Sequence, residues 1–203
     1  MPQPEITIAR TVEPITLAEA RRQVRLEADE TADDARLELL IAAARAHIET
    51  RMRRRLIRAE QVEYPYVWDA ASRYRANCFP LPYGPVQAVL AVYIHDSDDN
   101  QTLVPSSVYR LDTTTKPALL YLADGQTWPV ANWRKRNPIQ IEYLAGYAES
   151  PNNLPEDLRL AMLMLVSRWY DANSDQVLSV GATKLTIDDG LDALTLKYAE
   201  GLA

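Results

Sequence analysis

Residues 16–58 read TLAEARRQVRLEADETADDARLELLIAAARAHIETRMRRRLIR. Thr16-Leu17-Ala18-Glu19 has the form of a capping box, in which a hydroxyl accepts from the third helical N–H and a carboxylate reaches back to the cap. Leu17, Ala20 and Val24 follow at helical spacing, which predicts a short helix from Thr16 to about Arg25. Residues 27–34 are acidic and polar, and suit a loop leading into a second helix whose positive end favours carboxylates. From about Asp33 to Leu56, the residues Leu37, Leu40, Ile41, Ala44, Ile48 and Met52 recur at helical steps. At roughly 24 residues this helix would be about 35 Å long. Arg51, Arg53, Arg54, Arg55 and Arg58 crowd its far end, where the dipole favours cations.

Downstream the period changes. Residues 61–67 (QVEYPYV) predict a strand that Pro65 confines to a sheet edge. Residues 68–85 hold Pro80, Pro82 and Pro85 and read as an ordered loop. Strands are predicted over 86–94, 102–104, 108–111, 118–122 and 139–144, with HDSDDNQ at 95–101 as turn chemistry. In the last strand Ile139, Ile141 and Tyr143 alternate with Gln140 and Glu142, so one face is buried. Short strands between turn signals imply a small, mostly antiparallel sheet. Pro155, with Glu156 and Asp157, opens a third helix that Asn173 ends. Its apolar residues run nearly all round, so it needs cover on more than one side. In the tail, 183–187 reads as a short strand and 191–198 as a short helix or extended arm. The fold class is α+β. A helical part at 14–58 is completed by a helix at 153–173, with a β-rich insert at 59–147 and a C-terminal arm at 174–203.

The whole chain has 203 residues, a net charge of -6, 47% hydrophobic residues and 25% charged ones. Those values fit a globular protein and argue against a general nucleic-acid binder, which would be basic. One cysteine, Cys78, excludes an internal disulfide framework and a multi-cysteine metal cluster. No apolar run approaches the roughly 20 residues of a membrane span. The start, MPQPEITIAR, lacks the basic and apolar regions of a signal peptide, so synthesis in the cytoplasm is expected.

Chemical motifs are scarce. There is no G-x-G-x-x-G, G-x-x-x-x-G-K-[ST] or G-x-S-x-G, and the six glycines leave little material for a phosphate loop. His47 and His95 form no metal-binding pattern and read as ordinary surface or half-buried residues. Asp96, Asp98 and Asn100 resemble the start of a calcium loop, but Gln101 stands where the turn glycine should be and Ser107 where the closing glutamate should be. A hairpin turn accounts for them. Cys78 has no activating neighbour and reads as packing. Trp128 and Trp133, in QTWPVANWRKRN, are candidates for exposed contacts, whereas Trp169 and Tyr170 fit a core. A hydrolase using acids such as Asp96, Asp112 or Glu142 is a competing reading, separable by a pair of acids about 5–10 Å apart in a cleft. No catalytic, cofactor or metal residue is assigned.

Charge is segregated. Residues 45–58 hold six arginines and one glutamate, net +5; residues 26–38 hold six acids and one arginine, net -5. The basic end, Arg51, Arg53, Arg54, Arg55 and Arg58, is open to three readings: contact with nucleic-acid phosphate, a solvated helix end, or a subunit interface. In the last, it would meet Glu27, Asp29, Glu30, Asp33 and Asp34 of the next copy. The excess of arginine over lysine, 18 to 4, favours bidentate pairing with carboxylates.

Taken in order, PITLAEARRQVRLEADETADDARLELLIAAARAHIETRMRRRLI, FPLPYGPVQAVLAVYIHDSDDNQTLVPSSVYRLD and IQIEYLAGYAESPNNLPEDLRLAMLMLVSRWYDAN, followed by Leu191, Leu194 and Tyr198, resemble the head–tail connector (adaptor) proteins of tailed bacteriophages and gene transfer agents. The resemblance covers about residues 14–200, with 174–190 the departure. It implies a helical connector core and a structural, non-enzymatic role without cofactors. Such proteins form a ring beneath the portal, with twelve copies the family expectation. They extend the DNA channel and give the tail or the next connector its docking surface. The implied partners are the portal protein, the next connector or tail protein, and further copies of itself, with DNA only as passing cargo and no membrane. The implied locations are the host cytoplasm during assembly and then the virion neck. The arm, with Leu191, Leu194, Leu196 and Tyr198, would order on the portal. Another neck or tail-completion protein is the nearest alternative.

Overall fold

The computed structural model describes residues 5–8, 12–27, 29–63, 78–129, 132–172 and 185–199. It is α+β and divides into two units: residues 11–57 with 148–199, which are helical, and residues 1–10 with 58–147 and 200–203, which are β-rich. Residues 185–199 therefore belong to the helical unit.

In the helical unit α1 spans Leu17–Gln23. Its capping box is present: Glu19 N–H donates to Thr16 Oγ1 at 3.2 Å, and Thr16 N–H donates to Glu19 Oε2 at 2.7 Å. The helix closes when Leu26 N–H reaches Arg21 C=O and Arg25 N–H reaches Arg22 C=O, with Arg25 left-handed at φ 62°. That is the Schellman arrangement, with arginine in the seat usually held by glycine.

The second helix, α2, spans Asp34–Met52 and has 19 residues, shorter than predicted. The same motif stops it: Arg54 N–H donates to Glu49 C=O, Arg53 N–H donates to Thr50 C=O, and Arg53 has φ 53°. Leu37, Ile41, Ala44, Ile48 and Met52 are its buried apolar residues, against α1 and α3. The third helix, α3, spans Glu156–Asp171 and buries Leu158, Ala161, Met162, Leu165 and Val166.

The fourth, α4, spans Leu185–Thr195, and a 3-10 turn covers Leu196–Tyr198. The predicted strand at 183–187 is corrected at 185–187, which are helical; 183 and 184 lie outside the described residues. Of the two readings of 191–198, the short helix is the one present and the extended arm is not. Helix α4 packs on α3, Leu191 is buried, and Lys197 Nζ and Tyr198 OH both donate to Asp157 Oδ2.

The β unit has two antiparallel sheets. One has the order β1-β2-β8-β4-β5, from Glu5–Ile8, Ala59–Glu63, Ile139–Ala145, Val86–His95 and Gln101–Leu103. The other has the order β3-β7-β6, from Cys78–Leu81, Ala118–Leu122 and Tyr109–Asp112. Strand β8 is central, and its alternation is as predicted, with Ile139, Ile141 and Tyr143 fully buried. Strand β2 is not at an edge, because β1 pairs with it; Pro65 lies outside the described residues. Residues 78–81, predicted as loop, form β3. Pro80 is tolerated there because β3 is the edge of its sheet.

Phe79, Leu81, Val92, Ile94, Leu120, Ile141 and Tyr143 belong to one core drawn from both sheets. Tyr143 OH, inside it, donates to Pro82 C=O at 2.7 Å. Trp128 and Trp133 pack against this core, Trp128 against Phe79 at 5.8 Å and Trp133 against Trp128 at 6.3 Å. The expectation that they are exposed contacts is corrected by that burial.

Candidate functional site

The charged segments were the candidate site, and the structure shows where their charge goes. Arg55 and Arg54 are 3% and 4% exposed. Glu49, on the last turn of α2, accepts from Arg55 NH1 at 3.2 Å and from Leu56 N–H at 3.0 Å, with Arg45 NH1 at 3.8 Å. This buried carboxylate satisfies the chain as it leaves the helix. Arg51 pairs with Asp192 of α4. Arg53 is half-buried in its left-handed seat, and Arg58, also half-buried, falls in the β unit. Arg54 and Arg55 are therefore parts of the fold. Each of these two guanidinium groups is enclosed by its own chain.

The acidic segment is divided in the same way. Asp34 takes a two-point pair from Arg21, at 2.7 and 2.6 Å. Asp33 accepts from Tyr170 OH, and that bond pushes the phenol pKa up. Arg36 lies 4.8 Å from the centre of the Tyr170 ring and donates to Tyr170 C=O at 3.0 Å. Glu27, Asp29 and Glu30 are exposed, with Glu30 accepting from Glu27 N–H at 2.9 Å. Elsewhere Arg45 pairs with Glu13 at 2.7 Å and Arg159 with Glu19. Ion pairs between distant parts of the chain thus take up Arg45, Arg51 and Asp34 of the two charged segments.

Of the proposed arm residues, Leu191 is 3% exposed, Leu194 and Tyr198 are half-buried, and Leu196 is 71% exposed. Leu196 alone presents a largely open apolar side chain.

The acids weighed for hydrolysis are engaged in turns and along a strand. Asp96 accepts from the N–H groups of Asp98 and Asn100, both at 2.9 Å, as a hairpin turn requires. Asp112 accepts from Thr114 N–H and Oγ1, and Glu142 accepts from Gln140 Nε2. The turn bonds from Asn100 and Thr114 lower the pKa values of Asp96 and Asp112. Burial, with Asp112 adding to it, pushes the Cys78 thiol up, the opposite of activation. His47 is exposed and meets Trp169 edge-on at 5.8 Å; His95 Nε2 lies 3.2 Å from Gln140. Among the described residues no group of three or more His, Cys, Asp or Glu is placed to hold a metal ion.

These features define a two-unit α+β protein whose helical unit is braced by its own ion pairs. The chain belongs to the head completion protein family, whose model matches residues 15–188. No curated protein matches it significantly in sequence. Among solved structures it is similar to a chain in the neck of an empty gene transfer agent (GTA) particle computed with C6 symmetry. The identity is 26%, the TM-score 0.74, and coverage is 98% of this chain and 96% of that one. A chain of the virion of a native GTA particle matches at 25% identity, TM-score 0.76 and coverage of 100% and 97%. A chain in the neck of a native GTA particle computed with C12 symmetry shares the fold at 24% identity, TM-score 0.72 and coverage of 98% and 96%. Charge sign and helix starts were legible in the sequence. The partners of those charges were not, since Arg51 and Asp192 are 141 residues apart.

Proposed function

We propose that this protein is a structural component of a virion neck, a head–tail connector. It forms a ring under the portal, extends the DNA channel, and gives the tail or next connector protein its docking surface. The observation that carries this reading is the likeness over 98% of the chain to a neck chain of a GTA particle, together with membership of the head completion family. The role is one of assembly rather than catalysis. Its partners are further copies of itself, the portal protein and the next connector or tail protein, and its place is the virion neck. Symmetric neck particles among the relatives support a ring, and twelve copies is the number we propose. Leu196 and the half-buried Leu194 are the residues we assign to portal contact. No helix among the described residues is long and apolar enough to cross a membrane.

Mixing the purified protein with its cognate portal and measuring mass by light scattering tests the reading. A stable complex of portal with many copies is the expected result. Persistence of monomer beside unaltered portal overturns it. Leu196→Asp is expected to weaken that complex with the helical content unchanged.

A further inference from the structure

We infer that copies of this chain join head to tail through two uncharged faces of the helical unit, the outer face of α2 around Leu39 and the outer face of α3 around Leu160. The inference rests on the ring reading above and names its seam.

Helix α2 has two apolar sides. Opposite its buried residues lie Ala35, Leu39, Ala42, Ala43, Ala46 and Thr50, none of which carries a charge. All except the half-buried Ala42 are exposed, and Leu39 is 70% exposed. This face runs about 22 Å along the helix. A surface helix ordinarily places charged and polar groups there, whereas a helix apolar on both sides is covered on both. The alanines allow a partner to approach closely, near the ~8 Å lower limit of helix packing, and Leu39 is the projection.

Helix α3 supplies the second face. Opposite its buried stripe lie Leu160, 47% exposed, and the half-buried Leu163 and Ser167. Helices α2 and α3 pack on each other through their buried stripes, so their outer faces point away from one another. A head-to-tail contact has that requirement: two different patches on opposite sides of one body, each left available when the other is used. A two-fold pairing of either face with itself would leave the second face bare.

The rims agree in sign. Around the α2 face stand Arg36 and Arg53 against Glu38; around the α3 face stand Glu156 and Asp171 against Arg168. One rim has an excess of one positive charge and the other of one negative charge. Such rims set register and partner choice more than affinity.

The test uses the full chain with its portal and reads assembly by native mass spectrometry. Leu39→Glu and Leu160→Glu, both at open surface positions, are each expected to reduce ring formation about tenfold or more, because a carboxylate is then enclosed in an apolar seam. An equal mixture of the two is expected to stop at heterodimers, since each such pair has one intact seam and one blocked. Rings formed by either variant as readily as by the wild type overturn the seam and leave the ring reading standing. A wild-type chain that stays monomeric with portal overturns the ring reading itself. A second measurement is independent of those variants. With Cys78→Ser, the pair Ala43→Cys and Leu160→Cys in one chain is expected to give a ladder of crosslinked multimers with a short bis-maleimide. Neither cysteine alone should crosslink. Dimers from Ala43→Cys alone would show α2 pairing with α2 and overturn the head-to-tail seam.

Discussion

Arg25 occupies a left-handed backbone seat at φ 62°, with Leu26 N–H and Arg25 N–H closing the last carbonyls of α1. A side chain there costs roughly 1–2 kcal/mol relative to a glycine. Arg25→Gly is therefore expected to raise stability by about 1 kcal/mol, seen as a higher urea midpoint with an unchanged slope. The equivalent seat at Arg53 explains why the end of α2 was illegible. Helix termination is usually read from a glycine, and here an arginine inside an arginine run does that work. Glu49 is the other residue-scale determinant. Its buried carboxylate serves both Arg55 and Leu56 N–H. Glu49→Ala is expected to cost about 3–5 kcal/mol, because it removes one member of a buried ion pair. A loss below about 1 kcal/mol in thermal unfolding would contradict that assignment.

Among the elements, β8 and α1 were the most legible. Strict alternation from Ile139 to Tyr143 has one physical meaning, a strand with one buried face, and the Thr16–Glu19 box has a local geometry of its own. Strand β2 was misplaced at an edge because its covering strand comes from Glu5–Ile8, more than fifty residues earlier, and no local signal announces that pairing. Strand β2 also ends in a buried acid. Glu63 is 7% exposed, and burial raises its carboxyl pKa from 4.5 to about 7. The folded chain thus binds this proton more tightly than the unfolded chain. The stability the proton confers is complete below about pH 4.5 and is lost as pH rises through about 7. The span amounts to about 3 kcal/mol. Glu63→Gln is expected to flatten that fall between pH 5 and 8 in chemical denaturation, and an unchanged slope would refute the assignment.

For the whole molecule, a net charge of -6 bears on cargo. In the channel role proposed above, an acidic wall would offer few cations for phosphate counterion release, so DNA would slide past rather than bind. Filter binding of duplex DNA at low salt is expected to show no retention. Measurable retention would favour a nucleic-acid-binding role for the arginines. The fold class was legible from the order of helical and strand periods. The assembly surfaces were obscured, because the strongest charge signal, +5 against -5, is partly resolved by pairs inside the chain such as Arg21–Asp34 and Arg51–Asp192. What a neighbour would meet is the less conspicuous residue, an exposed Leu39 among alanines.

The chain leaves the helical unit after Ile57 and re-enters it at Ala148, and within that unit these two residues form a parallel bridge, with Ala148 N–H donating to Leu56 C=O. The entire excursion over 58–147 therefore begins and ends at one clasp, so its length places little entropic burden on the helices. In evolutionary terms the excursion is a cassette. A lineage can lengthen, trim or exchange it at that clasp while the helices keep their pairing. Among the described residues a constraint is the strand Glu5–Ile8, which any replacement must match with an edge of its own or leave without a partner.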